Sequence, residues 1–142
     1  MMATDQKLPK VSVLMSVHND AATVEAAIGS VLAQTFGDFE FIMINDGSTD
    51  GTAEILRQLA QQDARIRVVD QDNTGLTKAL NRALGEARGI YAARQDGDDL
   101  SHRERLARQV AILDARPEVV LVGSNSQDRY ADVRNRSMLM QQ

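Results

Sequence analysis

The chain of 142 residues contains no cysteine, no tryptophan, two prolines and two histidines. Without cysteine, a disulfide framework and a thiolate zinc site are excluded, and histidines as far apart as His18 and His102 form no HExxH pair. No apolar stretch approaches the roughly 20 residues that a membrane-spanning helix needs. Residues 1–10 also lack the apolar core of a signal peptide. These absences predict a cytoplasmic protein. They are also compatible with a full-length protein that is peripheral to the inner face of the membrane.

Charge and hydrophobicity place the chain among globular proteins. Lysine and arginine number 16 against 20 aspartate and glutamate, for a net charge of −4, and no long basic block occurs. Nucleic acid is therefore not an expected partner. A hydrophobic fraction of 43% over 142 residues is enough for one domain with a buried core.

Apolar β-rich runs alternate with helical patterns along the chain. The patterns predict strands over residues 11–17, 39–44, 66–69, 90–95 and 119–122, and helices over 22–34, after Asp50, over 76–87 and over 103–115. This alternation predicts a three-layer α/β/α domain with a mainly parallel sheet. We expect an N-terminal extension over residues 1–10, the domain over 11–125 and an irregular tail over 126–142.

Three polar clusters follow predicted strands, at 18–20, 45–48 and 96–99. The carboxyl ends of parallel strands share one edge of the sheet, where ligands bind. The third cluster contains Asp96, Asp98 and Asp99 on one short turn, where carboxylates repel one another unless a cation or hydrogen-bond donors compensate. We interpret it as a metal and phosphate site. The alternative is a solvated turn in which Asp98 or Asp99 caps the next helix.

Other nucleotide and metal motifs fail. Neither GxGxxG nor GxxxxGK[ST] occurs, which argues against a dinucleotide-binding dehydrogenase and a P-loop NTPase. Two segments begin like calcium loops, at Asp46 and Asp70, but Arg57 and Asn81 stand where the bidentate glutamate should be. A lone acidic cluster suits Mn²⁺ or Mg²⁺, which can take its other oxygens from a diphosphate.

Four motifs resemble the nucleotide-binding half of family 2 glycosyltransferases, which have the GT-A (nucleotide-diphospho-sugar transferase) fold. They are VSVLMSVHN at 11–19, NDGSTDGT at 45–52, NTGLTKALN at 73–81 and GIYAARQDGDD at 89–99. Arg105, Leu106 and Gln109 extend the resemblance, whereas Asn45, Arg103 and the residues after Asn125 depart from it. Members of the family continue for about another half-domain, so the resemblance implies a truncated domain.

The resemblance implies a role for each matching residue. Asp46 accepts a hydrogen bond from the imide of a uracil or thymine, His18 lies against the base, and Ser16 donates to the nucleotide. Lys78 lines the nucleotide side, Asp96 binds the ribose or the metal, and Asp98 is the principal metal ligand. Each role has a simpler alternative. In these alternatives Asp46 is a turn residue, His18 is a loop residue, the Ser16 hydroxyl bonds to the backbone, and Lys78 lies on a solvated helix face. Arg94 either neutralises the acidic cluster, reaches a phosphate or forms a structural ion pair.

The activity implied by the resemblance is transfer of a sugar, with inversion, from a nucleotide-diphosphate sugar to an acceptor hydroxyl. The acceptor would be a carbohydrate or a lipid-linked molecule in polysaccharide or glycoconjugate synthesis. The catalytic base is expected beyond Gln142, so a non-catalytic nucleotide-sugar or metal-binding module is the main alternative. A sugar nucleotidyltransferase is a further one, although its Gly-rich basic loop is missing after the first strand. An apolar sheet edge left uncovered in this chain would favour a homodimer.

Overall fold

Four parallel strands form one sheet in the computed structural model, which describes residues 7–127. They are β1 (Val11–Val17), β2 (Phe39–Asp46), β3 (Ile66–Gln71) and β4 (Tyr91–Arg94), in the spatial order β3-β2-β1-β4. All three pairings are parallel, with Val11 opposite both Phe39 and Tyr91. The carboxyl ends of all four strands therefore lie at one edge. Residues 1–6 and 128–142, which include most of the predicted extension and tail, lie outside the described residues.

Helices cover both faces of the sheet, as predicted. They are α1 (Val24–Leu32), α2 (Thr52–Gln62), α3 (Leu76–Glu86) and α4 (Arg105–Ala115). One core cluster joins Val13 and Met15 of β1 to α1, α2 and α4, and a second joins Leu14 of β1 to α3. Because successive strand residues point to opposite faces, these alternating residues show that β1 is buried on both sides.

The predicted fifth strand at 119–122 is wrong. Residues 119–122 are not in a strand, and the side chains of Val120 and Leu121 are 94% and 85% exposed. A strand needs a neighbour for its hydrogen bonds, and β4 has a neighbour on only one side within the described residues. The Val119 N–H instead donates to the carbonyl of Arg116 at 2.9 Å, which closes a turn around Pro117.

The fully buried positions of α3 are occupied by alanines rather than by its leucines. Leu76 and Leu84 are exposed, and the fully buried residues are Ala79 and Ala83. These alanines pack against β1 and β2, and their small side chains allow the helix to lie close to the sheet.

The start of α4 excludes the capping alternative for the acidic cluster. The helix begins at Arg105 with Glu104 at the N-cap position, so neither Asp98 nor Asp99 is there. The side chain of Gln34, which follows α1, pairs with the first turn of α4 instead. Its Oε1 accepts a hydrogen bond from the Leu106 N–H at 3.0 Å. Within residues 7–127, none of the helices is long and apolar enough to cross a bilayer.

Candidate functional site

The loops that follow β1 and β2 are held together by Asn19. Its Oδ1 accepts hydrogen bonds from the backbone N–H of Thr49 at 2.7 Å and of Asp50 at 3.3 Å, and its own N–H donates to Oγ of Ser48 at 3.1 Å. Asn19 has a φ of 56°, a left-handed conformation that asparagine tolerates better than most residues. Asparagine at this position therefore supplies both the backbone bend and the hydrogen bonds that fix the two loops.

Asp46, at the end of β2, is only 2% exposed and holds the loop between β3 and α3. Its Oδ1 accepts hydrogen bonds from Nε2 of Gln71 at 2.7 Å, from the Thr74 N–H at 2.9 Å and from the Thr74 hydroxyl at 3.2 Å. Its Oδ2 accepts one from the Gly75 N–H at 2.9 Å. The carboxylate thus binds the start of α3, where the N–H groups have no helical partner.

These contacts also fix the ionisation of Asp46. Burial raises the pKa of the carboxyl, but the hydrogen bonds from Gln71, Thr74 and Gly75 outweigh burial and hold the pKa below its usual value. An ionised carboxylate has acceptor capacity beyond these bonds. The predicted contact with a pyrimidine imide stays a prediction.

The loop after Asp46 approaches the β3–α3 loop too closely for a side chain. Gly47 has a φ of 72°, and a Cβ atom built there would lie 2.7 Å from the backbone nitrogen of Asn73. Glycine is therefore required at this position for two reasons, which are the backbone conformation and the contact.

His18 lies directly beside Asp46 and Asn73. Its Nδ1 is 2.8 Å from the backbone carbonyl oxygen of Asp46, which can only accept, so Nδ1 carries the proton. Its Nε2 lies 3.4 Å from the side-chain amides of both Asn19 and Asn73. The ring is oriented by three loops and stays exposed. It offers a flat face at the position where the sequence predicts a base.

Ser16 and Lys78 lie at the same edge without contacts of their own. Ser16 is half-buried near the end of β1, and its hydroxyl makes no hydrogen bond within the described residues. Lys78 is exposed in the first turn of α3 and forms no ion pair within residues 7–127. Both side chains are available to a ligand, and their predicted roles stay predictions.

The acidic turn after β4 is packed against the β1–α1 loop. A Cβ atom on Gly97 would lie 3.0 Å from both Oδ2 of Asp20 and Cγ1 of Val17. The Thr23 hydroxyl donates to the Gly97 carbonyl at 2.9 Å. The structure therefore brings the acidic cluster and the β1–α1 loop, which contains His18, together, as predicted for polar clusters at one edge of a parallel sheet.

Gln95 positions the backbone of this turn, a role that the sequence analysis missed. The side chain is 3% exposed, and its Nε2 donates to the carbonyls of Asp96 at 3.2 Å and Asp99 at 2.9 Å. Its Oε1 accepts from the Ser101 hydroxyl. The sequence carries no local sign of this role, because the burial of the amide depends on how distant parts of the chain pack over the turn.

The three carboxylates of the turn have different surroundings. Arg94 forms two hydrogen bonds with Asp96, from Nε to Oδ1 at 2.8 Å and from Nη2 to Oδ2 at 3.2 Å. Asp98 is exposed and has no hydrogen bond or ion pair within the described residues. The Asp99 N–H donates to the Asp96 carbonyl at 3.3 Å. Asp98 is thus the carboxylate that is most available to a cation.

An open cleft of about 1170 Å³ lies between this turn, α4 and residues 122–127. Arg105 lines it, with Nη1 donating to the Arg94 carbonyl at 3.1 Å. Its Nε is buried without a hydrogen-bond partner within residues 7–127, and burial lowers the pKa of its guanidinium. The cleft walls therefore contain both acidic and basic groups.

The donors present fit a cation that is shared with a substrate. No group of three or more His, Asp or Glu side chains able to hold a metal occurs among residues 7–127. Two carboxylates on one turn, Asp96 and Asp98, match Mn²⁺ or Mg²⁺ when phosphates and water supply the other oxygens. Without these further oxygens the two carboxylates would hold a cation only weakly.

Comparison with known proteins gives a consistent family. Residues 12–140 match the family described as Glycosyl transferase family 2. EpsE of Bacillus subtilis, provisionally described as a glycosyltransferase, is 42% identical over 118 residues, which are 82% of this chain and 42% of EpsE. The chain thus spans about two fifths of the length of this relative.

Two solved structures share the fold. A mannosyltransferase from Pyrobaculum calidifontis, in complex with GDP-Man and Mn²⁺, is 28% identical with a TM-score of 0.69, over 76% of this chain and 33% of its own. TarS from S. aureus, in complex with UDP-GlcNAc, is 28% identical with a TM-score of 0.71, over 76% of this chain and 32% of its own. The architecture is therefore that of GT-A glycosyltransferases.

Proposed function

Because the chain belongs to glycosyl transferase family 2, we propose that its sheet edge binds a nucleotide-diphosphate sugar with a divalent cation. The whole protein then transfers the sugar, with inversion, to the hydroxyl of a carbohydrate or lipid-linked acceptor. The observation that carries this proposal is the packing of the acidic turn against the β1–α1 loop that contains His18, where the Thr23 hydroxyl donates to the Gly97 carbonyl at 2.9 Å. This packing supports the proposal that one ligand contacts both the base side and the phosphate side of the edge.

On the base side, four residues are proposed to act together. The exposed His18 ring stacks on the base. Asp46 accepts a hydrogen bond from the base, because its ionised carboxylate has acceptor capacity beyond its bonds to the β3–α3 loop. Ser16 donates to the nucleotide from the end of β1, where its hydroxyl has no other partner within the described residues. Lys78, which is exposed in the first turn of α3, is proposed to line the nucleotide side as well.

On the phosphate side, Asp98 is proposed as the principal cation ligand and Asp96 as the second ligand or the ribose contact. When bound, a Mn²⁺ or Mg²⁺ ion stabilises the negative charge that develops on the leaving diphosphate. Gln95 keeps the two carboxylates in place through its bonds to the carbonyls of Asp96 and Asp99. The base that deprotonates the acceptor is proposed to lie beyond Gln142.

Calorimetric titration with UDP, dTDP and GDP, each with and without Mn²⁺, tests the donor site. We expect one nucleotide to bind in a manganese-dependent manner and Asp98→Asn to abolish that binding. Asp38→Asn is the matched control, since Asp38 is an exposed carboxylate that precedes β2 at the opposite edge. If none of the three nucleotides binds, with or without Mn²⁺, the proposal is refuted for this chain.

A transfer assay then separates the enzyme from a binding module. A protein of the relatives' length should release nucleoside diphosphate and glycosylate an acceptor, whereas a non-catalytic module would bind the donor without releasing diphosphate. Release of pyrophosphate from a nucleoside triphosphate would indicate a nucleotidyltransferase instead.

A further inference from the structure

We propose that Arg94 is an ionic latch on the acidic turn. Its guanidinium holds Asp96 in the unliganded chain, is displaced when a divalent cation takes that carboxylate, and then binds the diphosphate of the nucleotide. This inference rests on the proposed function and assigns Arg94 a role in coupling the cation to the nucleotide.

The latch is defined by an asymmetry between the two carboxylates. Arg94 engages both oxygens of Asp96, with contacts of 2.8 and 3.2 Å, and the described residues offer no such partner to Asp98. A divalent cation that binds both residues therefore meets a competing positive charge at Asp96 alone. Cation and guanidinium on one carboxylate repel each other, so full coordination by Asp96 requires Arg94 to leave.

Exposure keeps the latch weak enough to open. The side chains of Arg94 and Asp96 are 57% and 39% exposed, and exposed ion pairs contribute little. Competition from such a pair should weaken cation binding by no more than about fivefold. A buried pair would have prevented the cation from using Asp96.

The position of Arg94 provides a destination for the released side chain. Arg94 is the last residue of β4, and its backbone carbonyl accepts a hydrogen bond from Nη1 of Arg105 at 3.1 Å. The backbone can therefore stay in place while the side chain rotates. Arg94 lines the same cleft as Asp98 and Asp99. A diphosphate brought there by the cation offers oxygens that a planar guanidinium can bind with two hydrogen bonds.

The test measures Mn²⁺ binding rather than turnover, by the electron paramagnetic resonance signal of free Mn²⁺. Without nucleotide, Arg94→Gln should bind Mn²⁺ about threefold to fivefold more tightly than the unmodified chain. Addition of UDP, or of whichever nucleotide the calorimetry selects, should then tighten Mn²⁺ binding less in Arg94→Gln than in the unmodified chain. Reciprocity requires the same loss of coupling when the nucleotide is titrated at fixed Mn²⁺.

Two further variants separate the latch from general charge effects. Arg108→Gln removes the same charge from the same cleft, but Arg108 pairs with Glu104 at 2.8 Å, so Mn²⁺ binding should not change. Arg94→Lys keeps the charge and loses the two-pronged contact, so its Mn²⁺ affinity should lie between those of the unmodified chain and Arg94→Gln. This variant also serves if Arg94→Gln fails to fold.

The outcomes distinguish this inference from the proposed function. If the unmodified chain binds nucleotide with Mn²⁺ but Arg94→Gln has the same Mn²⁺ affinity and coupling, the latch is refuted and the donor site stands. An equal gain of affinity in Arg108→Gln would also refute the latch, because it would reduce the effect to net charge. If no variant binds Mn²⁺ with or without nucleotide, both proposals fail.

Discussion

At the scale of single residues, Asp46 shows how one carboxylate can serve structure and site together. Its four hydrogen bonds with Gln71, Thr74 and Gly75 bind the end of β2 to the start of α3. The same residue's carbonyl orients the His18 ring. A substitution at Asp46 therefore changes the support of the base side as well as any direct contact with the base.

We predict that Asp46→Asn lowers the free energy of unfolding by about 2–4 kcal/mol, because an amide nitrogen would face donors and leave at least one of them unpaired. Urea unfolding followed by circular dichroism measures this loss. Asp98→Asn is the matched control, since Asp98 is exposed and has no partner within the described residues, and its effect should stay within about 0.5 kcal/mol. Equal stability of the two variants would contradict the structural role of Asp46.

The motifs indicated the candidate residues of the site, but not the contacts that these residues make. The Asn-Asp-Gly-Ser motif indicated Asp46, yet its donors come from Gln71, Thr74 and Gly75, 25 or more residues later in the chain. Nothing local marks such long-range hydrogen bonds. The burial of Gln95 was likewise invisible, because burial depends on how distant parts of the chain pack over the turn.

At the scale of elements, β4 enters the sheet through a glycine that no other residue can replace without strain. A Cβ atom on Gly89 would lie 2.6 Å from the backbone nitrogen of Ser12 and 2.8 Å from its Oγ. The Ser12 hydroxyl accepts from the Gly89 N–H and donates to Glu40, which also pairs with Arg88. Close contact of the two backbones thus supports the ion pair of a buried carboxylate.

Gly89→Ala should therefore destabilise the chain by about 1–3 kcal/mol, as expected for overpacking against backbone that cannot move away. Gly85→Ala provides an opposite control in α3. A Cβ atom on Gly85 would have no contact within 4 Å, so this substitution should stabilise the helix by about 0.5–1 kcal/mol. Thermal unfolding of both variants measures the difference, and a change of the same sign in both would contradict the contact at Ser12.

Elements were predictable where the pattern was long and local. Strands β1 and β2 are continuous apolar runs because both of their faces are buried, and this property is visible in the sequence. The segment at 119–122 has a similar apolar run, but it lacks a neighbouring strand within the described residues. In α3 the distance to the sheet, rather than the size of the side chains, decided that alanines are buried.

At the scale of the whole molecule, carboxylates with lowered pKa values connect most of the elements. Burial raises the pKa of Glu40, but hydrogen bonds from Ser12 and Arg88 and the charge of Arg88 hold it below its usual value. Asp63 also has a lowered pKa, chiefly because of its hydrogen bond with Arg65. Glu40 and Asp46 tie β2 to β1, to β3 and to the segments that precede β4 and α3, whereas Asp63 fixes the segment that precedes β3.

Acid should therefore unfold the chain through these groups. A carboxyl whose pKa is lower in the folded state binds more protons when unfolded, so its stabilisation is complete above the unfolded pKa of about 4 and is lost as pH falls through the folded value. We expect the free energy of unfolding in urea to be nearly constant from about pH 7 to 5 with respect to these carboxyls, and to fall steeply below about pH 4.

In Glu40→Gln the slope below about pH 4 should be smaller, because one such carboxyl is removed, although this variant starts from a lower stability at neutral pH. A slope equal to that of the unmodified chain would show that the Glu40 network does not contribute to acid sensitivity, and stability that rises towards about pH 3 would contradict the lowered pKa values as a set.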